Sequence, residues 1–188
     1  MSTRLITAKY ASRVFAAGFA VALAAAAAAG GIDSANSQVT ANFRQMNVPV
    51  EGRFNAFSGS IDFDANKPAA ARARIEVDTA SFDVGAPEYN DELRKPEWFD
   101  TAAHPKAVFV SSAVIAAGPN RFEVVGKLTL KGKTQEFKIP VTRRSDAGRQ
   151  IYEGELPISR KAFAIGGADW ADTVDDKVVV KFRIATGK

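Results

Sequence analysis

Apolar and polar residues alternate along most of the chain beyond residue 39, with a period of two. In the stretch "RFEVVGKLTL", Phe122 and Leu128 fall on one side of the alternation, and Glu123 and Lys127 fall on the other. This period is typical of β-strands that bury one face and expose the other. The chain is therefore predicted to be all-β. The pattern is clearest in three predicted strands, at residues 72–78, 121–130 and 177–184.

Five further strands are predicted where the same alternation recurs between clusters of turn-forming residues. The short "KGK" at residues 131–133 predicts a tight hairpin around Gly132. Eight strands with short connections predict an antiparallel sheet. Such a sheet either closes into a barrel, which could hold one small ligand, or forms a β-sandwich, and periodicity alone leaves both open. The five strands are Val39–Arg44, Gly59–Asp64, Ala107–Val114, Glu136–Arg143 and Gln150–Ile158.

One connection, after the third predicted strand, departs from the period of two. Pro87 suits the first position of a helix, acidic residues follow it, and Arg94 and Lys95 come last. This order of charges matches the helix dipole, and Pro96 ends the run. A short helix of about two turns is predicted here.

The N-terminal residues 1–29 have the layout of a cleaved secretory signal peptide. Arg4, Lys9 and Arg13 precede a run of 16 uncharged residues that ends in alanines. A membrane anchor is the alternative, but this run is short and only weakly apolar for a span of about 20 residues. The expected mature domain is 30–188, exported to the periplasm or secreted, without stable membrane insertion.

Removing the leader takes three cations from a chain whose formal net charge is +4, which leaves about +1. The remaining charges are mixed along the sequence, so neither nucleic acid nor an anionic membrane is an expected partner.

Side chains suited to catalysis or to binding a transition metal are scarce in this sequence. It has no Cys and one His, His104, so the partners of a catalytic triad or a His-rich metal site are missing. The acids between Asp169 and Asp176 lack the spacing of an EF-hand loop, which favours a solvated loop over a calcium site. We therefore expect no enzyme, no catalytic residue, no cofactor and no metal.

Four stretches, taken in order, resemble the YceI-like family of periplasmic polyisoprenoid-binding proteins. They are "FRQMNVPVEGRFNAFSGSIDFD", "VDTASFDVGAPEYNDELRKPEWFDTAAHPKAVFVS", "GKLTLKGKTQEFKIPV" and "LPISRKAFAIGGADWADTVDDKVVVKFRI". Together they span nearly the whole mature chain. The chain departs from many members at Gln45, where they carry a His, so no role of that His carries over.

The resemblance implies an eight-stranded antiparallel lipocalin-like barrel with the short helix after the third strand. It also implies a carrier that holds a polyisoprenoid, such as a quinone tail, or another long-chain amphiphile in an apolar pocket. The alternative is a stress-related interaction protein whose barrel is filled by its own side chains, and a homodimer is left open. The residues expected to bind the ligand are Phe82, Leu93, Trp98, Phe99, Phe109, Leu128 and Phe163.

Overall fold

The structure, a computed structural model, describes residues 30–187. The predicted signal peptide lies outside the described residues. Within residues 30–187 no helix combines the length and apolarity needed to cross a bilayer. The elements of the described chain are β1 Gly30–Gly31, β2 Gln38–Gln45, β3 Val48–Phe54, β4 Phe57–Asp62, β5 Arg72–Asp78, β6 Phe82–Asp83, α1 Pro87–Leu93, β7 Lys106–Gly118, β8 Arg121–Leu130, β9 Lys133–Asp146, β10 Arg149–Ser159 and β11 Lys177–Thr186.

The strands form one antiparallel sheet that curls into a barrel. Their order across the sheet is β1-β4-β5-β7-β8-β9-β10-β11-β2-β3-β6. A bridge between Ile32 and Thr186, together with the pairing of β1 on β4, links β4 to the end of β11. The all-β prediction and the barrel are thus confirmed, and the β-sandwich is not the fold.

Alternation determines which face of each strand is buried. On β9, Ile139 and Val141 are buried, whereas the intervening Pro140 is exposed. The β8–β9 hairpin turns at Lys131 and Gly132, whose φ values of 47° and 70° match the left-handed turn that a two-residue hairpin requires.

The strand count differs from the eight predicted. Val48–Phe54 is an additional strand, and β1 and β6 add two-residue segments. Pro49 and Gly52 weaken the strand signal in "VPVEGRF". Pro49 is tolerated because β3 lies near the edge of the sheet, where only Arg53 and Phe54 pair with β6. The helix α1 forms where it was predicted, but it follows β6, the sixth strand segment of the chain.

Candidate ligand-binding site

The interior of the barrel contains an apolar cavity of about 230 Å³. Its wall is built from the inward faces of the long strands, closed on one side by the connection between β6 and β7. The atoms exposed to the cavity are apolar. Period-two alternation produces this wall, because every second side chain of a curled sheet points to the same interior.

Six of the seven residues expected to contact a ligand line this cavity. Phe109 and Leu128 are directly opposite each other in the register of β7 and β8. The other four come from the connection after β5, where Phe82 packs edge-on against Phe99 with ring centroids 5.4 Å apart. Their contact with a ligand stays a prediction. The six residues are Phe82, Leu93, Trp98, Phe99, Phe109 and Leu128.

Phe163 is not among the residues that line the cavity. It lies in the 3-10 turn Lys161–Phe163 that follows β10, and it is fully buried. Its ring stacks on Phe137, with centroids 6.4 Å apart. The alternation that points side chains inward ends with β10, so the sequence pattern could not assign a direction to this ring.

Several aromatic residues that were not expected to bind a ligand also line the cavity. Phe122 and Phe182 lie on the apolar side of the alternation, so the signal for them was present in the sequence. Phe63 packs edge-on against Phe122 at 4.9 Å, and the guanidinium of Arg143 lies 5.1 Å from the centre of the Phe63 ring. The additional aromatic residues are Phe43, Phe54, Phe63, Phe122, Tyr152 and Phe182.

Three connections meet at one end of the barrel, which we call the capped end: residues 94–105, 131–132 and 160–176. The Nζ of Lys131 donates to the carbonyl oxygens of Pro96 at 2.6 Å and Ala164 at 2.7 Å. The Gly166 N–H donates to the Glu97 carbonyl at 2.8 Å. These bonds join the hairpin turn to both longer connections. Burial lowers the pKa of the Lys131 ammonium.

Arg160 organises the longest of these connections. It is 2% exposed, and desolvation on burial lowers its pKa. All five guanidinium N–H groups are used, so this cation has no free donor for a ligand anion. The acceptors are the backbone carbonyls of Ile165, Gly166, Trp170, Val174 and Asp175, at 2.7 to 3.2 Å.

The single histidine lies at the same end. Its carbonyl accepts a hydrogen bond from the Thr79 hydroxyl at 2.9 Å, and its imidazole packs over the turn at Gly132. The contacts of His104 are thus those of a residue that packs one connection onto another.

A curled antiparallel barrel with an apolar cavity and a short helix in one connection is a lipocalin-like fold. The chain belongs to the YceI-like domain family, whose match covers residues 31–186.

Relatives of known sequence support the same family. Protein YceI of Escherichia coli O157:H7 is 33% identical over 160 residues, which cover 84% of this chain and 77% of that protein. A UPF0312 protein of Vibrio parahaemolyticus is 32% identical over 152 residues, which cover 76% of this chain and 78% of the relative.

Two solved structures share the fold. BcnA of Burkholderia cenocepacia superposes with a TM-score of 0.80 at 43% identity, covering 83% of this chain and 99% of that one. A polyisoprenoid binding domain from Saccharophagus degradans superposes with a TM-score of 0.71 at 18% identity, covering 85% and 99%.

Proposed function

We propose that this protein is an exported binding protein that carries a polyisoprenoid, or another long-chain amphiphile, with the apolar chain inside the barrel. The observation that carries the proposal is the cavity inside the barrel, whose wall is apolar. The description of the Saccharophagus degradans domain as polyisoprenoid binding supports the choice of ligand class.

The energetics are adequate for such a ligand. Burying one methylene contributes about 0.8 kcal/mol, so a five-carbon isoprene unit offers at most about 4 kcal/mol. Losses on association reduce this value, but a few units suffice for tight binding without a charged recognition site.

The size of the cavity bears on how a long chain enters. Its 230 Å³ lie below the roughly 300–1,000 Å³ of pockets that enclose drug-sized ligands. A chain of several isoprene units therefore needs more volume than this cavity offers, so we propose that the barrel widens when such a ligand enters.

The proposal includes export and a role without catalysis. Residues 1–29 are proposed to direct the chain out of the cytoplasm and to be removed, and N-terminal sequencing of the mature protein tests this. A catalytic role is not proposed, because apolar groups face the cavity and the Arg160 guanidinium is fully bonded to carbonyls.

Tryptophan fluorescence tests the binding proposal directly, because a quinone quenches nearby indole rings. Trp98 lines the cavity, and Trp170 packs edge-on against it at 5.2 Å. Delipidated protein titrated with a prenylquinone is expected to show saturable quenching at one ligand per chain. The matched control is a water-soluble quinone without a prenyl chain, which should not saturate.

Leu128→Asp provides a second control, since it places a charge on the wall of the cavity. If this variant folds and binds the prenylquinone as the wild type does, or if the wild type shows no saturable quenching, the proposal is wrong.

A further inference from the structure

The inner face of the β9–β10 hairpin becomes polar at the end of the barrel opposite the capped end. Arg143 and Tyr152 are directly opposite each other in the register of β9 and β10, so their side chains lie on the same face. Tyr152 lines the cavity, which makes this the inner face. Gln150 lies on the same face, two residues before Tyr152. We call Arg143, Gln150 and Tyr152 the rim cluster.

Two contacts hold the guanidinium of Arg143 at the edge of the cavity. Its Cζ lies 5.1 Å from the centre of the Phe63 ring, and this ring lines the cavity. Its Nε donates to Oε1 of Gln150 at 2.8 Å. Because the guanidinium is already stacked and hydrogen-bonded, it loses little further freedom when it binds an anion.

The remaining donors of this guanidinium have no protein partner in the described part of the chain. The Arg143 side chain is half-buried, and within residues 30–187 its only hydrogen bond is the one to Gln150 and no carboxylate pairs with it. The neighbouring Arg144, on the outer face, pairs with Asp146 and Glu153 at 3.3 Å. Arg143 therefore keeps the pair of N–H groups that bind a carboxylate in bidentate fashion.

The hydroxyl of Tyr152 is a second donor on the same face. The Tyr152 side chain is 8% exposed, and its hydroxyl forms no hydrogen bond with any residue between 30 and 187. A buried phenol usually has a partner. Burial raises the pKa of Tyr152, and the nearby charge of Arg143 opposes this change only in part. The phenol is therefore protonated at neutral pH and can donate.

The cavity reaches the surface at this end of the barrel. Arg72, the first residue of β5, lines the cavity and is also exposed to solvent. It donates to the carbonyls of Ala71 at 2.7 Å and Ala69 at 3.4 Å, not to a carboxylate. Two arginines without a paired acid thus lie at this end, and their field favours an anion.

We propose that the rim cluster binds the carboxylate of a long-chain acid whose apolar chain lies in the barrel. Arg143 donates two N–H groups to the carboxylate oxygens, and the Tyr152 hydroxyl donates to one of them. The inference rests on the proposed function and adds the charge of the ligand, its polar group and its direction. A carboxylate matches the charge and the planar shape of one guanidinium, whereas a phosphate monoester brings further charge.

Affinities for ligands that share one alkyl chain test the contact. In isothermal titration calorimetry, delipidated wild-type protein should bind dodecanoate more tightly than dodecanol or dodecyl phosphate, each below its critical micelle concentration. Arg143→Met should weaken dodecanoate binding about ten- to a hundredfold, the range for hydrogen bonds to a charged group, and should change dodecanol binding little. Arg144→Met, on the outer face, is the matched control and should change neither affinity. Tyr152→Phe keeps the ring and should weaken dodecanoate binding about two- to tenfold.

Tryptophan fluorescence reports the direction of the bound acid without any variant. Trp98 and Trp170, the two tryptophans of the sequence, both lie in connections of the capped end. Bromine quenches an indole ring that it contacts. Dodecanoate brominated at its last carbon should therefore quench the fluorescence at saturation, whereas dodecanoate brominated next to the carboxylate should bind and quench less.

The outcomes separate this inference from the proposed function. If dodecanol binds as tightly as dodecanoate, if Arg143→Met weakens both equally, or if bromine next to the carboxylate quenches more, the rim cluster is not a carboxylate site and the carrier proposal stands. Tighter binding of dodecyl phosphate would overturn the choice of a carboxylate. If neither dodecanoate, dodecanol nor a prenylquinone binds the folded wild type, the proposed function fails, and this inference with it.

Discussion

The ring of Phe82 lies against Gly52 so closely that a Cβ at residue 52 would come within 2.3 Å of its Cζ. The same relationship recurs at Gly126, where the Phe109 ring lies 2.3 Å from the position of a Cβ, and at Gly154. Each of these rings lines the cavity. Glycine lets the ring lie along the wall of the barrel, which leaves the interior open.

Gly52→Ala should therefore push the Phe82 ring into the cavity. The three atoms nearest to the new Cβ all belong to that ring, so the ring has to turn. We expect a loss of stability of about 1–3 kcal/mol, as for other overpacked cores, and a lower ligand load. Thermal unfolding and the amount of lipid that co-purifies per chain measure the two effects.

Gly31→Ala is the matched control, because nothing lies within 4 Å of its Cβ position. Lower thermal stability of Gly52→Ala with an unchanged ligand load would show that the ring of Phe82 does not shape the cavity.

Removing the buried cation should destabilise the capped end severely. Arg160→Met keeps an apolar stem but removes five hydrogen bonds to backbone carbonyls, and we expect the free energy of unfolding to fall by at least about 3 kcal/mol. Arg160→Lys has three donors instead of five, so its free energy of unfolding should lie between those of Arg160→Met and the wild type. Urea unfolding measures both, and an Arg160→Met protein within about 1 kcal/mol of the wild type would contradict the role given to these bonds.

The Lys131 ammonium should control local opening more than global stability. Lys131→Met removes the bonds to Pro96 and Ala164, which join two connections at the surface. We expect faster amide exchange at Gly166 and faster ligand release, with a change in global stability of only about 1 kcal/mol. Lys133→Met, two residues away and exposed, is the control. If the Gly166 amide exchanged at the same rate in both variants, the bonds of Lys131 would not control the opening of the capped end.

Asp176 should make stability depend on pH in the acid range. The Lys161 N–H and the Ser159 hydroxyl donate to its carboxylate, and these bonds lower its pKa below the ordinary value of 3.8. The pKa of Asp176 is thus lower in the folded state than in the unfolded state. The ionised carboxylate therefore contributes its full stabilisation above pH 3.8, and this stabilisation is lost as the pH falls through the pKa of the folded state.

Asp176→Asn should thus be about 1–2 kcal/mol less stable than the wild type at pH 7, and the difference should shrink in acid. Urea unfolding across this pH range measures it. Asp172→Asn, on the same loop and exposed, should differ little from the wild type throughout. If the difference in the free energy of unfolding between Asp176→Asn and the wild type stayed constant down to pH 2, the ionised carboxylate would not be its cause.

Much of the fold could be predicted from the sequence, because period-two alternation reports directly which side chains share a face. The alternation did not reveal β3, because Pro49 and Gly52 interrupt it. The strand forms all the same, because it lies near the edge of the sheet. Neither residue could reveal that edge, which results from the pairing of distant strands.

The residues of the candidate site could be predicted where they lie on strands. Phe109 and Leu128 come from the alternation, whereas the position of Phe163 depends on a turn with no period. Arg160 gave no signal, because its five acceptors are backbone groups that only the folded loop brings together. The position of the Arg143 guanidinium over the Phe63 ring is likewise a property of packing.

Native mass spectrometry of the gently purified mature protein, followed by analysis of its organic extract, tests the central claim most directly. We expect one isoprenoid lipid or other long-chain amphiphile bound per chain, and a smaller occupied fraction for Gly52→Ala than for Gly31→Ala. A folded wild-type protein that carries no lipid, and takes up no prenylquinone when it is offered one, would contradict the account and identify a barrel filled by its own side chains.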